Sequence, residues 1–449
     1  MPALNRTKQA SRRRQVLSGF RDHLPGQMIL RGRIIDTFRT IFERHGFEPI
    51  DTPALEYSEV LTGKAGENEK LMYQFEDNGG RNVGLRYDLT VPLARYVAVH
   101  ESETVLPFKR YHIAPVWRAE KSQRGRLREF WQCDADIVGS ASMAADAEAI
   151  AISTEALAAV GLPNFTIHIS HRKLLEALAL TSGTPQHLSS GVFRAVDKLA
   201  KVGANGVRRE LVESGVPEQA ADRLLEIVTM SGTGERQLDR LREQLSDVPE
   251  ARSAVAQLTE LLELLPALGV PERSCCLDLS LARGLDYYTG PVFEALVEEP
   301  KIGSVVGAGR YDDLIGVFSG RPIPATGMSL GLERIIEVVQ EFGLLPTPPT
   351  VANVMVAVFP DLLHQSAKIA RDLRGAGLNV DLSVQPRKSL GEQLKYASRR
   401  GIPFAVIPGE AELDRNEAAI KDLATGRQWS VPIPQLPDEL RAALDNGAT

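Results

Sequence analysis

Apolar residues recur at helical spacing between Gln27 and Arg44, where Leu30, Ile34, Ile35, Phe38, Ile41 and Phe42 fall on one face. Gly46 follows as a stop, a residue free to take the left-handed turn that ends helices. The pattern predicts an amphipathic helix, then a short strand over Phe47–Thr52 closed by Pro53. Between Pro107 and Gly139 the period shortens to two. FKRYHIAPVWRAE and EFWQCDADIVG read as strands joined by the basic turn KSQRGRLR. Side chains alternate across a strand, so Trp131, Cys133, Ala135 and Ile137 share one face of the second strand and Gln132, Asp134 and Asp136 the other. Three polar residues in register on so apolar a strand predict a face that lines a pocket.

Residues 173–270 change character. KLLEALAL, FRAVDKLAKVG, AADRLLEIVTMSG and ERQLDRLREQL are helical stretches punctuated by glycine, with few β-branched runs. They predict an all-helical unit inserted into a mixed domain of residues 1–172 and 271–342. Strands resume in CLDLSLARGLDYYTGPVFEALV and IGSVVGAGRYDDLIGVF, and ATGMSL runs into the helix GLERIIEVVQEF. Residues 343–350, GLLPTPPT, form a proline-rich linker. Beyond it, residues 351–449 alternate strand and helix in a compact α/β pattern: VANVMVAVF, HQSAKIARDLRGAG, NVDLSV, LGEQLKYASRRG and IPFAVIPG, then a hairpin around Thr425-Gly426.

Composition narrows the class. The 449 residues suggest about three domains. With 43% hydrophobic and 24% charged residues the chain is a folded globular protein, not a disordered one. A net charge of −6 excludes a protein that coats nucleic acid non-specifically, while leaving room for local basic faces. Cys133, Cys275 and Cys276 form neither a disulfide framework nor a zinc site. No apolar run approaches the roughly 18 residues of a membrane span. A reducing, cytoplasmic setting is expected. Residues 1–21 hold Arg6, Lys8, Arg12, Arg13, Arg14 and Arg21 without an acid, as a frayed tail or a nucleic-acid-contacting arm.

Four islands carry chemistry. In Leu85–Thr90, LRYDLT, an Asp two residues before a Thr suits either an ammonium group or the start of a helix. The turn after Trp117 holds Arg118, Lys121, Arg124, Arg126 and Arg128 against Glu120 and Glu129, a loop suited to phosphates. LARGLDYYTG, Leu281–Gly290, offers a cation at Arg283 and two phenols, or simply a strand with aromatic pairing. GSVVGAGRY and GMSLGLER are glycine-rich without matching a phosphate-binding loop or a dinucleotide fingerprint. Arg334 falls in the first turn of a helix, where the dipole disfavours a cation, so an anionic partner is indicated. The eight histidines show no metal-ligand spacing and no nucleophile–histidine pair, so no resident metal is expected. Near the C-terminus Arg387, Lys388, Lys395, Arg399 and Arg400 face Glu392, as a solvated helix face or an RNA-contacting patch.

Taken together and in order, these islands resemble the histidyl-tRNA synthetase family of class II aminoacyl-tRNA synthetases. The helix–strand–Pro53 unit, WRAEKSQRGRLREFWQ and GMSLGLERI resemble the three class motifs, and RGLDYYTG and GAGRYDDL the two histidine-specific ones. The resemblance implies an α+β fold: an antiparallel-sheet catalytic domain, a helical insertion, and a C-terminal α/β anticodon-binding domain. It implies ATP and L-histidine as substrates, Mg²⁺ accompanying ATP with Glu120 as a contact, tRNA(His) as partner, and a homodimer. Arg118 and Arg283 would hold the α-phosphate as the catalytic cations. Asp88, Leu89, Thr90 and Gln132 would surround the amino group, and Asp136, Tyr287 and Tyr288 the imidazole. Phe130 would stack on adenine and Arg334 would grip the far phosphates. Gln123, Arg124, Arg387, Lys388, Lys395 and Arg399 would meet the tRNA. Asp at positions 88 and 136, where many bacterial members have Glu, resembles the eukaryote-like branch. One alternative is the synthetase-like regulatory subunit of ATP phosphoribosyltransferase, which usually lacks the last domain and parts of the RGLDYY motif.

Overall fold

The structure, a computed structural model, describes residues 15–62, 70–162, 164–230, 234–281 and 287–446. Arg283 and the basic residues before Gln15 fall outside them. The chain forms two compact units. One runs to Asp22 and resumes over Arg33–Leu345; the other joins His23–Gly32 to the chain from Pro346 onward.

Helix α1 (Pro25–Arg44) leads to β1 (Glu48–Pro49). A small sheet follows, of β2 (Leu55–Tyr57), β3 (Gln74–Glu76) and β4 (Asn82–Leu85). Helix α2 (Thr90–Val99) precedes the hairpin of β5 (Phe108–Trp117) and β6 (Glu129–Val138). Then come α3 (Met143–Ala159) and β7 (Phe165–His171). The longer described elements from there to Leu264 are helices: α4 (Arg172–Thr181), α5 (Ser189–Val196), α6 (Leu199–Glu213), α7 (Glu218–Val228), α8 (Gly234–Gln244) and α9 (Pro249–Leu264). Strands β8 (Cys275–Leu277), β9 (Pro291–Val297), β10 (Ser304–Arg310) and β11 (Ala325–Gly331) then lead into α10 (Leu332–Phe342).

The eight strands of the main sheet lie in the order β1-β5-β6-β11-β10-β9-β7-β8. It is antiparallel apart from the outer pairs β1·β5 and β7·β8. The strand expected over Phe47–Thr52 shrinks to Glu48–Pro49, because Pro49 has no N–H to extend a ladder and suits only an edge. The first hairpin strand ends at Trp117, short of Glu120, since the Ala119 N–H turns to Leu71 O (2.7 Å). The expected two-face alternation of β6 is kept, and both faces are covered: Cys133, Ala135 and Ile137 are as buried as Asp134 and Asp136.

The second unit carries a five-stranded sheet of β12 (Val354–Val356), β13 (Val380–Leu382), β14 (Phe404–Ile407), β15 (Glu417–Asp422) and β16 (Gln428–Pro432), in the order β13-β12-β14-β15-β16. Its longer helices are α11 (Leu363–Gly375), α12 (Leu390–Arg399) and α13 (Leu436–Asn446). Val354, Val356, Ile369, Leu373, Phe404, Val406, Ile420 and Leu440 fill the core between them. A capping box of Ser389 and Glu392 starts α12, each residue satisfying the other's free N–H. Among the described residues no helix is long and apolar enough to cross a membrane.

Candidate functional site

Register builds the floor of the site. Across the β5–β6 hairpin Arg110 faces Asp136, His112 faces Asp134, Ala114 faces Gln132 and Val116 faces Phe130. On the other side β11 sets Gly331 beside Gln132, Ser329 beside Asp134 and Gly327 beside Asp136. Directly paired residues of an antiparallel ladder share a face, so these side chains form one surface, polar from Arg110 and Asp136 to Gln132 and apolar at Ala114, Val116 and Phe130. Above it opens a cleft of about 1160 Å³. Asp88, Thr90, Arg118, Glu120, Phe130, Gln132, Tyr287, Tyr288 and Arg334, from distant parts of the sequence, all line it.

The lining residues are held by the scaffold. Arg118 donates from Nε to Tyr87 O (2.9 Å), and its guanidinium lies 5.1 Å from the Phe130 ring centroid. This fixes a cation beside an aromatic face, at about the distance of a cation–π contact. Asp88 takes the helix-start role that its sequence context allows and also meets a phenol. One oxygen accepts from Val91 N (3.2 Å) at the start of α2, and the other accepts the Tyr287 hydroxyl (3.3 Å). Burial raises the Asp88 carboxyl to about 6, against the pull of Arg118. Gln132 donates to Ser329 Oγ (2.7 Å), while its buried carbonyl oxygen has no hydrogen-bond partner and is ready to accept from a ligand.

Deeper, Asp136 is 3% exposed and does not itself line the cleft. One of its oxygens lies 2.7 Å from Arg110 Nη2, and the other accepts the Tyr311 hydroxyl. Burial pushes the Asp136 carboxyl up and Arg110 pulls it down. Neighbouring Asp134 is raised by burial to about 8, so it is largely protonated at neutral pH. Leu89 also falls short of the cleft. It is fully buried in an apolar cluster with Ala114 and Val116, against which Phe130 packs. Two glycines are required by close approach. A Cβ on Gly327 would sit 2.0 Å from Asp136 Oδ1, and one on Gly309 2.9 Å from the Tyr288 ring.

The basic turn is less free than its sequence implies. Glu120 pairs with Arg126, and its backbone oxygen accepts from Arg128 Nε (2.9 Å). Gln123 and Arg126 form a two-residue bridge. Arg124 pairs with Glu337 (3.3 Å) and with Glu341, acids of α10 that are remote in sequence. Arg334 donates to Gly125 O (3.0 Å) and to Ser304 O. Burial and the nearby Arg126 and Arg118 push its pKa down, the surroundings of a cation that an anion would relieve.

In the second unit Arg387, Lys388, Lys395 and Arg399 are exposed. Lys388 is paired with Glu392 (2.9 Å). Arg400 pairs with Asp381 (3.1 Å) of β13, which reduces the local excess of positive charge by one. Three histidines depart from the expectation that all are ordinary. Burial lowers His112 to about 3 and His171 to about 4. His168 is raised to about 10 by its hydrogen bond to Asp278 (2.8 Å) and by Cys276. Among the described residues no group of His, Cys, Asp and Glu could hold a metal ion.

Arg110, Tyr311, Ser329 and Gly327 belong to the site although the sequence assigns them no role; the last three lie within GAGRYDDL and GMSLGLER, and Arg110 lies in no motif. Tyr311 closes GSVVGAGRY, and Arg110 could be found only by aligning the two hairpin strands through their turn. Arg283, expected as the second phosphate cation, lies outside the described residues.

A mostly antiparallel sheet carrying arginines and an aromatic platform in one cleft, joined to a separate mixed five-stranded unit, is the build of an aminoacyl-tRNA synthetase. Residues 19–335 match the family model described as histidyl-tRNA synthetase, and residues 353–443 match an anticodon binding domain. The chain belongs to the histidyl-tRNA synthetase family. It is 44% identical to the histidine–tRNA ligase of Aeropyrum pernix over 425 residues, covering 92% of this chain and 95% of that one. The crystal structure of histidyl-tRNA synthetase from Nostoc sp. PCC 7120 superposes with a TM-score of 0.86 at 34% identity, covering 96% and 99%. A Bacillus halodurans structure titled as an ATP phosphoribosyltransferase regulatory subunit/histidyl-tRNA synthetase shares the fold, with a TM-score of 0.75 at 24% identity over 85% and 96%.

Proposed function

We propose that the chain is a histidine–tRNA ligase: it activates L-histidine with ATP and transfers it to the 3′ end of tRNA(His). The observation that carries this reading is one cleft lined by nine of the expected contact residues in a member of this family. The histidine carboxylate attacks the α-phosphorus of ATP, forming histidyl-adenylate as the bond to pyrophosphate breaks. The terminal hydroxyl of the tRNA then attacks the acyl carbon and releases AMP. The chain's work is positioning and charge stabilisation. Arg118 and Arg283 stabilise the α-phosphate, and Arg334 holds the far phosphates. Phe130 stacks on adenine. Asp88, Thr90 and Gln132 take the ammonium group; Asp136, Tyr287 and Tyr288 form the ring pocket.

Mg²⁺ fits as a companion of the nucleotide. Such ions bind through one or two carboxylates plus phosphate oxygens, and Glu120 is a carboxylate on the cleft wall. In that position Mg²⁺ would neutralise phosphate charge. The domain division follows the sequence boundaries: a catalytic part of 1–172 and 271–342, a helical insertion of 173–270, a linker at 343–350 and an anticodon-binding part of 351–449. The insertion clamps the acceptor stem. Its Arg194, Lys198 and Lys201 share the cleft with Arg118, which supports this. Gln123, Arg124, Arg387, Lys388, Lys395 and Arg399 are the further tRNA contacts. The enzyme works as a homodimer in the cytoplasm. The anticodon binding domain match weighs against the regulatory-subunit alternative.

Histidine-dependent ATP–pyrophosphate exchange, followed by charging of a tRNA pool, tests the reading. Exchange and charging are both expected. Exchange without charging would indicate a tRNA-independent adenylating enzyme, and neither would indicate a regulator.

A further inference from the structure

Asp136 carries its charge where water scarcely reaches, and its compensation is visible. Arg110 Nη2 stands 2.7 Å away, with side-chain exposures of 0% and 4% for the pair. Tyr311 donates to the other carboxylate oxygen. Arg110 makes little else: one long contact from Nη2 to Leu89 O (3.4 Å), while its Nε and Nη1 have no hydrogen-bond partner. A buried guanidinium with two nitrogens unspent is costly unless an opposite charge balances it. Here that charge is Asp136.

We propose that Arg110 is a positioning residue that cancels the charge of Asp136, so that the pocket takes the neutral imidazole ring of histidine and turns away the imidazolium. This rests on the reading of Asp136 as the ring's partner.

The other ionisable groups on the floor leave the balance at zero; the carboxylate of Glu294, on β9, lines the cleft and acts on Tyr288 from off the floor. Asp134, raised by burial to about 8, is largely neutral. His112, lowered to about 3 by burial and then by Arg110 and Arg86, is neutral too. Arg86 lies 3.8 Å from Asp51. Asp88 feels Arg118 and is assigned to the substrate's ammonium group. Tyr287, Tyr288 and Tyr311 are pushed up by burial and keep their protons. A cationic ring would therefore meet no net negative charge on the floor. An N–H from a neutral ring would still find a carboxylate to accept it.

The test compares the KM for histidine with that for 1,2,4-triazol-3-ylalanine, whose ring stays uncharged between pH 5.5 and 8. Taking the ratio removes the titration of Asp88, which both ligands share. In the unaltered enzyme the ratio should rise about tenfold per pH unit below the ordinary imidazole value of about 6.5. In Arg110→Gln the floor becomes anionic, and the ratio should fall as the pH falls. Arg110→Lys keeps the charge and should keep the original direction. An Arg110→Gln profile parallel to that of the unaltered enzyme overturns the proposal.

Should Arg110→Gln fail to fold, calorimetric titration of the unaltered enzyme at pH 6, in buffers of different ionisation enthalpy, decides instead. Histidine should release most of one proton more than the triazole, and equal release overturns the proposal. Asp136→Asn separates the two ideas. No change in histidine KM retires the ring contact itself. A raised KM alongside a parallel Arg110→Gln profile retires charge cancellation alone.

Discussion

The floor of the cleft and the outer face of α12 hold similar sets of charged side chains and use them in opposite ways. On the floor, Arg110, Asp134 and Asp136 are at most 3% exposed, and strand register decides which charge meets which. Burial there moves Asp134 to about 8 and Asp88 to about 6. Along α12, Glu392, Lys395 and Arg399 are exposed, and Glu392 pairs with the exposed Lys388, which lies just before the helix. Such exposed pairs contribute little and weaken in salt. Buried charge fixes the identity and protonation of a small ligand. Exposed charge can meet a large polyanion and release it again.

If that contrast is right, substitutions in the two regions should separate activation from charging. The largest effect belongs to Arg118→Ala, which should lower exchange by roughly 10³-fold or more, the scale of a lost phosphate-stabilising cation. A variant within tenfold of normal would break the comparison on its buried side. Gly327→Ala comes next. The added methyl collides with the Asp136 carboxylate, so stability should drop by about 1–3 kcal/mol in denaturant unfolding, with a higher histidine KM. A variant normal in both would show the floor to be more yielding than its packing implies.

Lys395→Ala with Arg399→Ala should leave exchange unchanged and reduce charging several-fold, with the salt slope of tRNA binding falling by roughly one per cation. Unaltered charging would remove α12 from the tRNA surface. The smallest effect concerns a half-buried ion pair between these extremes. His168 has a pKa raised to about 10 by Asp278, so its contribution favours folding below the ordinary imidazole value and is lost as pH climbs through about 10. Because both partners are partly exposed, His168→Gln should cost about 1 kcal/mol near pH 7. Thermal melting of the variant and the unaltered protein should converge above pH 10.

Periodicity reveals what is local. Two-residue alternation picks out Gln132, Asp134 and Asp136 as one face, and 3.6-residue spacing picks out α1 and α12. It overestimates strand length wherever pairing ends early: residues 351–359 read as one strand, but the ladder with β13 and β14 holds only Val354–Val356. The acids that engage the basic turn are less legible still. Glu337 and Glu341 lie more than two hundred residues from Arg124 and meet it only through the position of α10. Arg110 looks like any polar residue on a strand until the hairpin sets it opposite Asp136. Leu89 sits in a chemical motif, but its side chain went to the core because it is the apolar member of that motif.

The order of strands in the main sheet bears on how the protein is born. β6 lies directly against β11, although the whole helical excursion and β7–β10 separate them along the chain. Pairing across such a separation is slow, because a long loop must close before the contacts repay it. The Gln132–Ser329 bond, the Asp136–Tyr311 bond and the grip of Arg334 on Gly125 each join the two ends of that loop. A ribosome-bound chain that has not yet reached Arg334 therefore has no complete cleft. Substrate recognition begins only as the catalytic unit's final strand and helix arrive.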